Sequence, residues 1–276
     1  MDLARAWIDR DRERAEGSFE ERPSLPVAFI ADEQVSGRGR QGRRWVQASG
    51  SSSQPPLMAT FLFPCDREIS SLSGYSLAVG VAISLAWDAY CGESGKKLSL
   101  KWPNDVVAQH PRLLERFGKV GGVLVEVLPC GTNNHALSIG IGINTNAIPE
   151  DVPEALALSE LLGAGSSASE VERDRFFSFL AAELLEMHVG FMKEGFRRFR
   201  ATWIARSAFV AYRTNLTIDL GDEQLRAVFT GISESGALVV GQESAEGGAV
   251  HRTLCEREIH SGHILNWDKF GEMGKT

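Results

Sequence analysis

Apolar and polar positions change rhythm several times along the chain, and each rhythm predicts an element. Leu3, Trp7 and Ile8 share one helical face, so the chain opens on a helix reaching about Ala15. A charged loop carrying Pro23 and Pro26 comes next, and Val27 to Ala31 reads as a buried strand. Ser36 to Gln54 is rich in Gly, Arg and Ser without apolar period, which predicts a loop. Leu57 to Phe63 is a second strand, closed by Pro64. Ser71 to Tyr90 is apolar nearly all round, the pattern of a helix packed beneath a sheet. Short strands are expected at Leu98 to Trp102, Asp105 to Ala108, Val120 to Val127 and Ala136 to Ile143, then helices at Ser169 to Met192 and Gly195 to Arg206.

Near Tyr212 the character shifts to short β-like runs separated by turn residues. These are Leu216 to Leu220, Leu225 to Thr230, Ala237 to Val240 and Val250 to Leu254, with Ser235-Gly236 and Gly247-Gly248 between some of them. The expected division is an α/β part, 1–210, and a small all-β part, 211–276.

Composition narrows the class. With 276 residues, 43% of them hydrophobic, the chain can bury one sizeable core and support a small extra module. The net charge of −7 argues against a general nucleic-acid or anionic-membrane binder, which needs broad positive potential. Cys65, Cys91, Cys130 and Cys255 are widely spaced with no C-x-x-C, as for reduced thiols in a cytoplasmic protein. The N-terminal stretch is charged and has no signal-like apolar region. The most apolar run, Leu77 to Trp87, is shorter than the roughly 20 residues a bilayer span needs.

Candidate chemistry starts in the Gly/Arg loop. Gly37 to Gly42 spells G-x-G-x-x-G, but a dinucleotide fingerprint needs a helix to begin there. The adjoining run from Arg43 to Pro56, R-R-W-V-Q-A-S-G-S-S-S-Q-P-P, has no helical period. Arg38, Arg40, Arg43 and Arg44 matter more, because they crowd one loop of an acidic protein. Guanidinium forks match carboxylate and phosphate oxygens, and interleaved glycines let backbone N–H groups approach an anion. Such a loop should be mobile when empty and ordered over an anionic ligand. Taken alone, it also suits a solvated basic loop or an RNA contact. K-W-P-N-D, Lys101 to Asp105, breaks the tie: Lys101 ends a β-like run and Pro103 forces a turn, so scaffold holds the ammonium. G-G-V-L-V-E, Gly121 to Glu126, and G-I-G-I-N, Gly140 to Asn144, add glycines within strands, which mark close approach by a ligand or another backbone.

These motifs together resemble the biotin–protein ligases, from about Val27 to about Leu265, and Phe229 to Val240 looks like that family's C-terminal barrel. The resemblance implies an α+β fold. It would have a mixed β-sheet catalytic domain of class II synthetase type with packed helices, and a small SH3-like β-barrel. It implies ATP-dependent transfer of biotin, through biotinyl-5′-AMP, to a lysine of a biotin carboxyl carrier protein, with Mg²⁺ accompanying ATP. Gln34, Gly37, Arg38, Gly39, Arg40, Gly121 and Gly122 would meet biotin, and Lys101 would bridge its carboxylate and the α-phosphate. Arg40, Arg43, Trp45, Asn104 and Asn144 would hold ATP, with Trp45 over the adenine. Lys101 and Arg40 would be catalytic, no residue is expected to hold a resident metal, and a homodimer is left open.

Three departures stand out. The family's Ser-Thr pair before its first helix has no counterpart ahead of Met1-Asp2-Leu3. A phosphate-contacting arginine near the C-terminus is replaced by Asn266. No winged helix precedes the catalytic part, so no DNA-binding repressor role is expected. Glu126 could orient Lys101 or be structural. His135, His188, His251, His260 and His263 have no evident partner, His110 sits by Pro111 in a loop, and all six are expected to be non-catalytic. A lipoate–protein ligase and an RNA-binding module are the competing readings. A P-loop ATPase is excluded, because Gly95-Lys96-Lys97 lacks the earlier glycine and the following Ser/Thr.

Overall fold

The computed structural model describes residues 2–15, 26–48, 55–92, 95–111, 116–130, 135–163, 169–209, 215–243 and 254–265. The loop around Pro23, the Gly247-Gly248 turn, His251 and Asn266 lie outside the described residues. Helix α1 (Asp2–Ala15) precedes strands β1 (Val27–Ala31) and β2 (Leu57–Cys65). Helix α2 (Tyr75–Cys91) is followed by β3 (Ser99–Lys101), β4 (Asp105–Gln109), β5 (Phe117–Pro129) and β6 (His135–Ile143). Helices α3 (Arg173–Glu194) and α4 (Arg197–Ala205) lead into β7 (Asn215–Asp219), β8 (Gln224–Ile232), β9 (Leu238–Glu243), β10 (Leu254–Ile259) and β11 (His263–Ile264).

The first sheet has the order β1-β2-β6-β5-β4-β3, and every neighbouring pair is antiparallel. This corrects the expected mixed sheet. A strand–helix–strand run suggests parallel neighbours, and β2 and β3 do point the same way. The α2 crossover, however, carries β3 to the far edge, and β6, β5 and β4 fill the gap as hairpin partners.

Alternation along the strands separates the two faces. Leu57, Ala59, Phe61 and Phe63 of β2 and Leu137, Ile139, Ile141 and Ile143 of β6 bury against α2 and α3. The opposite face is narrower. Ala4 and Ile8 of α1 cover Leu62, Leu128 and Ala136 at one end, and Gly140, Gly142 and Gly122 lie at the other. Helix α2 is buried on nearly every side, as expected. It starts at Tyr75, because Gly74 takes φ 79° in close contact with Phe196. With the turn before it, Ile69–Cys91 is long and apolar enough to cross a membrane by length and composition. That exceeds the run from Leu77 to Trp87 expected from the sequence, and packing beneath the sheet accounts for its apolar character. Helix α3 begins later than expected, since Val171 is held extended by paired hydrogen bonds with the Asn146 side chain (2.7 and 3.0 Å).

The second sheet has the order β10-β9-β8-β7-β11 and is also antiparallel. Its residues Leu216, Ile218, Leu238 and Val240 share one continuous apolar core with the first part of the chain. Trp102 Nε1 donates to Gly236 O (3.2 Å), and the rings of Phe209 and Phe229 meet at 5.3 Å. Of the strand expected at Val250 to Leu254, all but Leu254 lies outside the described residues, and a strand is described at Leu254–Ile259. Its Cys255, Glu256, Arg257 and Glu258 are exposed on an edge, so no apolar alternation marks it.

His188 is buried where α3 meets β2, its Nδ1 2.9 Å from the Tyr75 hydroxyl and its ring stacked 4.5 Å from Phe63. Burial pushes its pKa down to about 4 from the usual 6.5. The unfolded chain therefore takes up a proton that the folded chain refuses. Stability should fall as pH drops from about 6.5 towards about 4. His188→Gln should be less stable at neutral pH, yet lose less across that window in urea titrations. A slope as steep as the wild type's would contradict this.

Candidate active site

The Gly/Arg segment is a closed hairpin. Gly39 N donates to Arg43 O (2.7 Å), Trp45 N donates to Gly37 O (3.0 Å), and Arg38 bridges Arg44 antiparallel. A 3-10 turn, Arg40–Gly42, forms the tip, with Gln41 at φ 54° and Gly42 at φ 72°. Gly37 is required by close approach: a Cβ there would stand 2.4 Å from Trp45 O. The hairpin roofs a cavity of about 390 Å³. Trp45 lies on the glycines of the floor. Gly122 and Gly142 pair across β5 and β6, and a Cβ on Gly142 would fall 2.6 Å from the indole.

At the far wall, K-W-P-N-D is the tight β3–β4 connection. It puts Lys101 opposite Asp105, with Trp102 buried behind them. Lys101 is only 2% exposed, and its Nζ lies 2.8 Å from one Asp105 oxygen. The other Asp105 oxygen lies 2.7 Å from Lys119 Nζ, and that ammonium sits 5.6 Å from the Trp45 ring centre. Burial alone would raise the Asp105 pKa, but Lys101 and Lys119 outweigh it and hold the carboxyl at about 2. Burial lowers the Lys101 pKa, and Asp105 offsets only part of this because it is shared with Lys119. Burial also lowers the Arg40 pKa, against Asp105. Two carboxylates, Asp105 and Glu154, thus face Arg38, Arg40, Arg43, Arg44, Lys101 and Lys119, and the cavity carries a positive excess suited to an anionic ligand.

The model of the biotin/lipoate A/B protein ligase family matches residues 12–144. A biotin–[acetyl-CoA-carboxylase] ligase of Paracoccus denitrificans is 29% identical over 212 residues, 76% of this chain and 82% of that protein. The bifunctional ligase/repressor BirA of Escherichia coli is 26% identical over 216 residues, 78% of this chain but 62% of BirA. The solved biotin protein ligase of Aquifex aeolicus, in complex with biotin and ATP, superposes with a TM-score of 0.65 at 27% identity. That match covers 92% of this chain and 93% of the other. Residues 12–144, just under half of the chain, are thus similar to the biotin/lipoate A/B protein ligase family.

Most of the residues singled out from the sequence gather around this cavity. Gln34, Arg38, Gly39, Arg40, Arg43, Trp45, Lys101, Asn104, Gly122 and Asn144 line it. Gly37 and Gly121 do not. Gly37 closes the base of the hairpin, and Gly121 packs where a Cβ would stand 2.7 Å from Gly142 O. Two asparagines are engaged in bracing. Asn104 Nδ2 donates to Val123 O (2.7 Å), while buried Asn144 reaches Lys119 O at 3.4 Å and its backbone N–H meets Val120 O at 2.9 Å. Glu126 pairs with Arg5 at 3.4 Å, so the carboxylate that orients Lys101 is Asp105 instead.

Sequence reasoning missed Lys119 and His263. Lys119 stands two places before the Gly-Gly pair, and on a strand that spacing puts it on the same face as Gly121 rather than pointing to it as a ligand. His263 was expected to lack a partner, yet it lines the cavity, and both its ring nitrogens lie 3.3 Å from Arg43 Nη1. No local signal in S-G-H-I-L marks it.

Asp105→Asn would leave two ammonium groups around a neutral amide. Removing one partner of a buried ionic cluster costs about 3–5 kcal/mol, which urea unfolding at pH 7 would read. Because the folded carboxyl titrates near 2 rather than 3.8, this contribution is present above about pH 4 and lost as pH falls towards 2. A variant as stable as the wild type at pH 7 would show that the cluster is not what holds the wall.

Proposed function

We infer that this chain couples biotin, by way of biotinyl-5′-AMP, to a lysine of a biotin carboxyl carrier domain at the expense of ATP. The observation that carries this reading is the buried Lys101–Asp105–Lys119 cluster at the end of a cavity roofed by the arginine hairpin. Named relatives support it: the Paracoccus denitrificans protein is a biotin–[acetyl-CoA-carboxylase] ligase, and the Aquifex aeolicus structure is a complex with biotin and ATP.

In this reading two anions, a carboxylate and ATP, must be brought into contact. Lys101 meets the carboxylate and the α-phosphate, and Arg40 stands beside the acyl-phosphate as the mixed anhydride forms. Gln34, Arg38, Gly39 and Gly122 bound the biotin side. Arg43 and Trp45 hold the nucleotide, braced from below by Asn104 and Asn144. Mg²⁺ arrives with ATP and shields its phosphates. The carboxylate oxygen attacks the α-phosphorus and pyrophosphate leaves. A lysine amine of the carrier then attacks the acyl carbon, losing a proton, and AMP departs. Cations already fixed in place need little rearrangement as charge moves, which is why positioning carries most of the rate. The hairpin keeps water from the anhydride. The catalytic part would span 1–210, of the class II synthetase type, and 211–276 would close into a small SH3-like barrel. A cytoplasmic site of action fits four thiols with no disulfide pattern.

Isotopic pyrophosphate exchange tests this directly. Exchange should depend on biotin, and Lys101→Ala should lower it about 10²–10³-fold, the range for loss of one preorganised electrostatic group, while circular dichroism stays native. Exchange with lipoate alone would sink the biotin assignment, and near-normal exchange by Lys101→Ala would remove its role.

A further inference from the structure

His263 reaches the cavity from the second sheet. Strand β11 pairs His263 with Asp219 and Ile264 with Ile218. Ile264 is fully buried in the core, so alternation turns His263 the other way, towards the cavity. Gly262 permits the tight approach: a Cβ there would stand 3.0 Å from Asp219 O and 3.1 Å from Ile218 and Leu220. The ring delivered in this way meets Arg43 with both nitrogens 3.3 Å from one guanidinium nitrogen, and the unprotonated one of the two can accept from it.

Arg43 is fixed at its other end as well. Its N–H donates to Arg40 O (3.1 Å) and its carbonyl accepts from Gly39 N (2.7 Å). Burial, Lys101 and Arg43 push the His263 pKa down to about 4, against Asp105 and with a further push from Lys119. The imidazole is therefore uncharged at neutral pH and accepts from the guanidinium instead of repelling it.

We propose that His263 is a positioning residue for Arg43: the second sheet fastens the arginine hairpin over the cavity through this contact. The consequence for catalysis rests on the reading of the cavity as the ATP site. A guanidinium held on both sides is aimed at an anion before the anion arrives, which lowers the ordering cost of binding. Neither biotin contact nor the chemical step at Lys101 runs through His263, so its effect should appear in the use of ATP.

Two measurements on the full chain test the contact. The first uses no ligand. Limited trypsin digestion, mapped by mass spectrometry, should cut after Arg38, Arg40 or Arg44 several-fold faster in His263→Ala than in the wild type. His263→Gln, whose amide oxygen also accepts from Arg43, should restore most of the protection. The second is pyrophosphate exchange. His263→Ala should raise KM for ATP about tenfold, as expected for losing a hydrogen bond to a charged group, with KM for biotin unchanged and kcat lowered less. Arg43→Ala should act alike, and the double variant should be no worse than Arg43→Ala alone. Multiplying losses in the double variant, or wild-type digestion and wild-type KM in His263→Ala, would overturn the proposal. Faster digestion of His263→Ala in a protein whose wild type shows no biotin-dependent exchange would uphold the contact and sink the ATP reading instead.

Discussion

A single carboxylate placed between two ammonium groups governs the arrangement of the cavity. Asp105 holds Lys101 at 2.8 Å and Lys119 at 2.7 Å, in a wall where burial disfavours the charge on Lys101. Desolvating a cation costs several kcal/mol, and here the anion that offsets that cost for Lys101 also holds Lys119. The wall is therefore positive overall without being unstable, and it can receive an anionic ligand without first unfolding or charging. The short β3–β4 connection makes this possible, since five residues set the lysine opposite the aspartate in register.

Around this cluster the parts have distinct tasks. The first sheet supplies a floor made bare by glycines, the hairpin supplies the guanidinium groups, and α2 supplies the rigid bed beneath. The second sheet packs Gly236 against Gly74 and accepts the Trp102 indole hydrogen bond, so it stiffens the back of the same turn that carries Lys101. Packing and chemistry meet in K-W-P-N-D: the tryptophan anchors the turn into the core, and the residues flanking it face the cavity.

Local features were legible in the sequence because local rules produce them. Apolar runs marked β2 and β6, the all-round apolar run marked α2, and the crowded arginines marked the loop that the structure folds as a hairpin. Sheet topology was less legible, because the α2 crossover and the hairpins that fill it are decided by packing over long separations. Strand β10 escaped notice because an exposed edge carries charge where a buried strand carries Val or Ile. Within the site, the residues that belong to motifs were found. Lys119 and His263 were not, since each gains its meaning only from a neighbour brought in by tertiary structure. Asn104 and Asn144 show the converse: residues in a motif whose side chains are engaged in holding the backbone.

Strand β11 has only two residues, and they stand at 263 and 264, after every other strand described. Polypeptides are made from the N-terminus, so the hairpin, Lys101 and Lys119 leave the ribosome long before His263 exists. Until then the cavity has a floor, a charged wall and a roof with a loose hinge side. Its rim closes only when this short strand adds itself beside β7. Completion of the rim thus waits on the last of the described strands, and a nascent fragment that has folded its large sheet still lacks it.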